Sequence, residues 1–357
     1  MLFNIYTNDQ PVDESARSFI YADDTAVAAQ GKTFEEVEEK LNAALEELAE
    51  YYEENDLKAN PTKSQVCAFH LRNRQANRKL RVSWKGQQLE HSNNPRYLGV
   101  VLDRTLTFKE HCHNTKTKVF ARNNIVRKLT GSTWGAEPHV LRTTGLALSI
   151  SAAEYAAPVW GRSTHAKQVD IAVNETARIA TGCLKPTPTE ELYPIIGIAP
   201  PPIRRQVAAE IERTKQKNDP RHPLHEHQRQ RVRLKSRKSF IDCTEELSTT
   251  PKERRLNLWK NSVPHSKIEP LEEGSLGLNL TFGTWKSLNR LRTAVTRCKS
   301  NLLRWGFAEN ELCECGAKQD YNHLLICPNM TKTCTRDDIF RVNDEAIYVA
   351  NYWSGKI

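Results

Sequence analysis

The sequence predicts an α+β chain of several modules, on three observations. Short apolar runs joined by turn dipeptides crowd its first hundred residues. A capped amphipathic helix interrupts them near residue 33. Beyond residue 104 helical periodicity takes over, punctuated by Gly131, Gly161, Gly182 and the proline-rich stretch 186–202, before a cysteine-bearing C-terminal segment. Hairpins rather than βαβ repeats dominate the first part, which argues against a doubly wound sheet. The expected segments are 1–103, 104–218, 219–283, 284–335 and 336–357.

Taken in order, 18–21 and 25–28 form a β-hairpin whose tip is Asp23-Asp24. An apolar hairpin that carries two bare carboxylates at its turn is costly unless a cation binds there. Oxygen ligands on a rigid turn suit Mg²⁺, and paired ions clamp the attacking and leaving oxygens of phosphoryl transfer. For the dipeptide alone an acidic, solvated loop tip is the simpler reading, because Asp is favoured in turns. Thr33-Phe34-Glu35-Glu36 is a capping box, and the helix behind it places Phe34, Val37, Leu41, Leu45, Leu48 and Tyr52 on one face until Asn60-Pro61 stops it. A strand at 65–69, a hairpin of 80–84 with 87–90 around Lys85-Gly86, and a strand at 97–102 follow. Helices are expected over 110–129, 138–155, 166–180 and 202–217.

Charge is unevenly placed. The 357 residues carry a net +9, yet residues 1–64 hold fifteen acids and five bases, a balance of −10 that leaves +19 on the remainder. A basic body of that size favours a polyanion, nucleic acid first. An apolar content of 38% with a mean hydropathy of −0.64 is low for a compact enzyme and implies exposed linker, assigned to 219–283 as a basic, largely irregular segment. Within it, residues 229–238 hold six bases in ten, Arg229, Arg231, Arg233 and Lys235 among them. Such a run is a solvated tail, a nucleic-acid contact or a nuclear-targeting segment. His222, His225 and His227 lack cysteine partners at zinc-like spacing. No apolar run approaches a membrane span and no signal peptide is evident. Nine cysteines, an odd number without regular spacing, suit a reducing compartment, cytoplasm or nucleus.

The C-terminal part begins with a helix expected over 284–305. Leu288, Leu291, Val295, Cys298 and Leu302 share a core stripe, while Lys286, Arg290, Arg297 and Arg304 fall in a narrow arc opposite. That arc is either solvated surface or a phosphate-tracking ridge. Next come Cys313, Cys315, His323 and Cys327, spaced C-x-C-x7-H-x3-C. Three thiolates and an imidazole are what tetrahedral structural zinc takes, and a closed set of four leaves no position for chemistry. Gly316 permits the tight turn between the first two. The spacing alone fits unrelated reduced thiols as well, and Cys334 is a spare or alternative ligand.

Several of these segments together resemble a known family. Phe19-Ile20-Tyr21-Ala22-Asp23-Asp24-Thr25-Ala26-Val27 resembles the Tyr-X-Asp-Asp catalytic hairpin of reverse transcriptases. Residues 2–9 are similar to the strand before it in non-LTR retrotransposon polymerases of the jockey-like kind. Residues 56–64, with Lys63, resemble their next motif, and Arg96-Tyr97-Leu98-Gly99-Val100-Val101-Leu102-Asp103 their primer-grip segment. Residues 288–328 resemble the zinc-knuckle-like module that ends jockey-type elements.

The resemblance implies the C-terminal half of a polymerase palm with its primer grip in 1–103, and a helical, thumb-like region in 104–218. It implies a basic helix with a Cys₃His zinc module in 284–335. The implied activity is RNA-directed DNA polymerisation: Asp23 and Asp24 hold Mg²⁺, and Lys63 lies near the incoming triphosphate. Tyr97, Leu98 and Gly99 meet the primer, and Cys313, Cys315, His323 and Cys327 hold Zn²⁺. An RNA template and a DNA primer or target are the implied partners, with nucleotides as the only small-molecule substrates and no membrane. The family's third aspartate is not matched by Asp9, Asp13 or Glu14, which lack its aromatic context. The expectation is therefore the C-terminal portion of a longer polymerase, inactive alone. The alternatives are a nucleic-acid-binding module without activity and an inert relic of a mobile element.

Overall fold

A computed structural model of the chain describes residues 7–11, 15–131, 134–227, 240–263 and 267–357. Most of the expected strand at 2–9, and Arg229, Arg231, Arg233 and Lys235, lie outside the described residues. The chain divides into two compact units, Met1–His111 and Cys112–Ile357.

In the first unit, β1 (Ala16–Tyr21) and β2 (Asp24–Ala29) pair antiparallel from Ala16↔Ala29 to Tyr21↔Asp24. Helix α1 (Phe34–Glu54) starts as expected, with the Glu36 N–H donating to Thr33 Oγ1. The returning half of the box is displaced by one residue: Glu36 accepts the Lys32 N–H at 2.7 Å. The helix stops at Asn55, before Asn60-Pro61 is reached, where Asp56 turns left-handed at φ 53°. Its apolar face meets Val66, Leu80, Val82 and Leu89 in a small core.

The remaining strands are shorter than expected, and each pairs with one neighbour. β3 (Gln65–Val66) runs parallel to β6 (Glu90–His91), and β4 (Ser83–Trp84) pairs with β5 (Gln87–Gln88). Lys85 and Gly86 both take positive φ at that turn, as a two-residue hairpin of matching twist requires. The expected strand at 97–102 is instead a second tight hairpin, β7 (Arg96–Tyr97) with β8 (Val100–Val101). Leu98 and Gly99 sit at φ 44° and 79°, a reversal that no continuous strand can contain. After it, the Asp103 carboxylate accepts from Thr105, Thr107 and Phe108 and fixes a loop in which Leu106 and Phe108 are both left-handed.

The second unit is helical; three of the four expected helices appear with ends shifted by one residue, and the one expected over 138–155 starts as expected but is interrupted. They are α2 (Lys109–Lys128), which starts at the end of the first unit, α3 (Pro138–Thr144), α5 (Lys167–Thr181) and α7 (Pro201–Asn218). α3 runs on through widened turns at Gly145–Ile150 into Ser151–Glu154, and the short α4 (Ala157–Trp160) follows. α6 (Thr189–Ile196) arises within the stretch expected to be proline-broken. Pro194 removes one helical hydrogen bond there, and burial of Leu192, Ile195 and Ile196 offsets it.

Three expectations are corrected here. Residues 240–263, expected to be irregular, contain α8 (Phe240–Cys243) and α9 (Pro251–Ser262), with a complete Thr250/Glu253 capping box. α9 packs on α7, with Trp259 fully buried and a two-pronged Arg254–Glu210 ion pair joining the two helices. The helix expected over 284–305 is two helices, α10 (Phe282–Arg292) and α11 (Lys299–Arg304). β-Branched Thr293, Val295 and Thr296 weaken the helix between them, and Ala294 is left-handed at φ 55°. After α12 (His323–Ile326), the expected tail folds as α13 (Arg336–Arg341) and α14 (Asp344–Tyr352). Ile339, Ala346, Val349, Ala350 and Trp353 join one core with Leu288, Leu291 and the cysteines. Among the described residues no helix is long and apolar enough to cross a membrane.

Candidate functional site

The Asp23-Asp24 tip is as sharp as the sequence implies. Its first turn residue, Ala22, is held at φ 52°, a conformation that costs an L-residue about 1–2 kcal/mol. Strain of this kind persists where surrounding structure over-determines it, commonly at functional positions. Both carboxylates are exposed, and neither has a hydrogen-bond or ion-pair partner among the described residues. The strand leading to them is unusually bare: Phe19, Ile20 and Tyr21 are 46%, 44% and 66% exposed, so apolar side chains project uncovered from both faces.

Tyr97 lies beside this hairpin, its hydroxyl 3.5 Å from the Phe19 carbonyl. Burial first, and the Asp24 charge second, push its phenol above the ordinary value. The primer-grip-like turn and the acidic hairpin are thus neighbours within one unit. Lys63 is exposed on a turn whose backbone and side-chain contacts centre on Asn60. Among the described residues no hydrogen bond or ion pair joins it to either aspartate.

The four basic residues expected on one helical face are dispersed by the break between α10 and α11. Arg290 turns inward, donating to the carbonyls of Gly182 at 3.0 Å and of Ile357. Burial, with Arg297 adding repulsion, pulls its guanidinium down to about 10. Lys286 is half-buried against Gly182 and is likewise lowered, by burial first and then by Arg290 and Arg297. Arg297 and Arg304 remain exposed.

The Cys/His set converges as its spacing suggests. One donor atom each from Cys313, Cys315, His323 and Cys327 lies within 4.8 Å of the others. Cys313 and Cys327 approach to 3.9 Å between sulfurs, and Cys315 Sγ lies 3.5 Å from His323 Nε2. Gly316, at φ 86°, closes the turn, and its N–H donates to the Cys313 carbonyl. α12 presents His323, and its end delivers Cys327. Burial works against a charged Cys313, but donors from the Cys315 backbone, Gln319 and His323 outweigh it and hold that thiol below its ordinary value. Three soft sulfurs and an imidazole, gathered this tightly, fit a tetrahedral Zn²⁺. Cys334 stands outside this group, buried in the core, its thiol pushed up to about 11 by burial and then by Asp338 and Glu345. None of the nine cysteines forms a disulfide.

Two contributors to this centre carry no ligand signature in the sequence. Trp353 Nε1 donates to the Leu324 carbonyl at 2.8 Å, pinning the turn that carries His323 from a segment expected to be tail. Gln319 donates from its amide to Cys313 Sγ at 3.4 Å. A tryptophan so close to the chain's end was the available hint for the first. Gln319 belongs to the motif that carries the resemblance to the zinc-knuckle-like module, with no role at the metal assigned to it there.

The sequence shared with known proteins points the same way as the hairpin and the cluster. The chain is similar to a class of enzymes, the RNA-directed DNA polymerases of mobile elements. Within that class the likeness is to the jockey-like, non-LTR kind. Over 196 residues it is 24% identical to the probable RNA-directed DNA polymerase from transposon X-element of Drosophila melanogaster, covering 51% of this chain and 21% of that protein. It is 28% identical over 121 residues to the RNA-directed DNA polymerase from mobile element jockey of the same species, 32% of this chain and 13% of the relative. The jockey polymerase of Drosophila funebris matches at 28% over 134 residues, 34% of this chain and 14% of the relative. The matched region thus spans about a fifth or less of each relative. No family model and no solved structure matches the chain.

Proposed function

We propose that this chain serves nucleotidyl transfer by a mobile-element reverse transcriptase. In this reading Asp23 and Asp24 are two of the carboxylates that hold Mg²⁺ in the assembled enzyme. The segments after residue 112 form a thumb-like, nucleic-acid-binding region that ends in a Cys₃His zinc module. The observation that carries the reading is the strained tip that presents consecutive carboxylates from an uncovered apolar ladder, with the Tyr97 turn alongside. An aspartate pair that merely solvated a loop would need neither the strain nor the bare aromatic strand.

Bound Mg²⁺ supplies neutralisation of the triphosphate and alignment of the primer hydroxyl, and catalysis of this kind is positioning and electrostatics. The chain's own residues would do the following. Asp23 and Asp24 offer oxygen ligands. Tyr97, Leu98 and Gly99 present a rigid turn to the primer end, and Lys63 places a positive charge toward the triphosphate or its leaving pyrophosphate.

Alone, the chain is expected not to extend a primer. Among the described residues no third acid, histidine or cysteine stands with Asp23 and Asp24, and two carboxylates from one hairpin do not organise two ions. Primer extension on an RNA template with Mg²⁺ tests this. Extension abolished by Asp23→Asn would keep the active-site assignment and remove the inactivity; extension indifferent to that change would remove the assignment.

The charge distribution favours a second reading, nucleic-acid binding without catalysis. With +19 beyond residue 64, binding is expected to be insensitive to sequence and steeply salt-dependent, with a log–log slope of about −0.9 per duplex phosphate neutralised. Neutral substitutions at Arg229, Arg231, Arg233 and Lys235, and separately at Arg297 and Arg304, should flatten that slope. Binding that ignores salt would contradict both readings.

A further inference from the structure

Gln319 has every polar group engaged, and its partners belong to two different parts of the C-terminal core. Its side-chain N–H donates to Cys313 Sγ at 3.4 Å, while its side-chain oxygen accepts the Lys299 N–H at 2.9 Å. Its carbonyl accepts the Ser300 N–H at 3.1 Å, and its own N–H donates to the Glu311 carbonyl at 2.8 Å. Lys299 and Ser300 are the first two residues of α11, whose cap, Cys298, makes no side-chain hydrogen bond to the helix. The first amides of a helix need partners, and here one glutamine supplies them. That glutamine is buried and held by backbone contacts on the strand-like bridge between Leu312 and Lys318.

We propose that Gln319 is a positioning residue that ties the Cys₃His centre to α11, so that holding the metal and ordering the helix are one event. The inference rests on reading the four residues as a metal site. An N–H aimed at a thiolate stabilises its charge and fixes its direction, and outer partners of this kind are typically worth 10- to 100-fold in metal affinity. The same amide cannot serve Cys313 unless its oxygen faces α11, because the two ends of one planar group are fixed relative to each other. What metal binding orders is then specific: α11 and the turn behind it, with Arg304 exposed and Phe307 78% exposed. An exposed arginine and a bare aromatic ring three residues on are residue types that track phosphates and stack single-stranded bases, so metal loading would set whether that segment is ordered.

Two substitutions separate the halves of the link. Gln319→Glu keeps the size and the acceptor toward Lys299 but has no N–H for the sulfur. Lys299→Pro removes the α11 donor to the Gln319 side chain and leaves the Ser300 N–H on its carbonyl, at the first helical position where proline is tolerated, after a residue already extended at φ −60° and ψ 155°.

The full chain would be titrated with Co²⁺ as a spectroscopic probe, and hydrogen exchange at 299–304 followed with and without a chelator. The wild type should bind one ion and lose α11 protection on chelation. Gln319→Glu should weaken binding about 10- to 100-fold and shift the thiolate-to-cobalt charge-transfer band. Lys299→Pro should bind Co²⁺ like the wild type while the protection that metal adds at 300–304 shrinks. If Gln319→Glu binds Co²⁺ like the wild type with an unchanged band, or if α11 protection ignores the metal, the link is wrong and the metal site stands. If the wild type takes up no metal, the Cys₃His assignment falls and the link falls with it.

Discussion

The two candidate metal centres of this molecule are built in opposite ways. At Cys313, Cys315, His323 and Cys327 a fifteen-residue stretch brings every donor itself, and a core that includes α10, α13 and α14 holds them in place. At Asp23 and Asp24 one turn brings two donors, the side chains of Phe19, Ile20 and Tyr21 leading to them are exposed, and among the described residues no third donor stands with the pair. The first is pre-organised and its sequence spacing is nearly its geometry. The second has a rigid tip in an open setting, so its chemistry depends on groups the hairpin does not itself contain. Donor number and burial thus differ between the two candidate centres as much as donor type does.

The sharpest way to break this contrast is to remove a ligand from each centre. Chelation, or Cys327→Ser, should unfold the end of the second unit, with a loss on the order of 5 kcal/mol or more, since structural zinc contributes roughly 10–16 kcal/mol in isolated zinc-finger peptides. Asp23→Asn and Asp24→Asn should leave stability within about 0.5 kcal/mol, as exposed changes do. Thermal unfolding followed by calorimetry would show both. A hairpin substitution as damaging as Cys327→Ser would mean that the tip is structural after all.

Next in size is the contribution of α14. Trp353→Ala should cost about 3–5 kcal/mol, because it opens a large cavity and orphans the Leu324 carbonyl. Trp353→Phe, which loses mainly the hydrogen bond, should cost about 1 kcal/mol. Both should weaken metal binding through the misplaced His323 turn, read by competition with a coloured chelator. Unchanged affinity in Trp353→Ala would detach the centre from the core that surrounds it.

How far the sequence disclosed these features follows from the range of the forces involved. The hairpin tip, the Lys85-Gly86 turn, the α1 cap and the Cys₃His set were legible because each is specified by residues a few positions apart. α9 was hidden because its one fully buried anchor, Trp259, sits behind the charged run Lys252 to Arg255, in which Arg254 and Arg255 are paired with Glu210 and Glu272 outside the helix. The 284–305 helix was overcalled because apolar spacing continued through Thr293–Thr296, while tertiary packing favoured a break. Arg290 read as surface for the same reason: its partners, the carbonyls of Gly182 and Ile357, are invisible to periodicity.

A smaller effect concerns the first unit and pH. Although burial acts against its charge, the Asp103 carboxyl is held below the ordinary carboxylate value by donors from Thr107, Thr105 and Phe108. A depressed folded value means its stabilising contribution is complete above the unfolded value, near 4, and is lost as pH falls through the folded one. Asp103→Asn should therefore cost about 1–2 kcal/mol at pH 7 and much less at pH 2. Urea titrations at the two pH values would show it, and equal losses at both would leave the carboxylate's charge without a role.

The smallest expected change tests the strain at the acidic tip. Ala22 at φ 52° costs about 1–2 kcal/mol relative to a relaxed turn, and glycine would relieve it. Glycine also widens the unfolded ensemble by roughly 0.5–1 kcal/mol, so Ala22→Gly should stabilise the first unit by no more than about 1.5 kcal/mol. If the strain exists only because alanine happens to occupy the turn, the substitution is a simple gain. If the strain instead fixes the direction of Asp23 and Asp24, glycine gives a more stable hairpin with a looser tip, and Mg²⁺ or Mn²⁺ should bind the hairpin more weakly. Measuring stability and ion affinity on the same protein separates the two cases, because only a functional strain moves them in opposite directions.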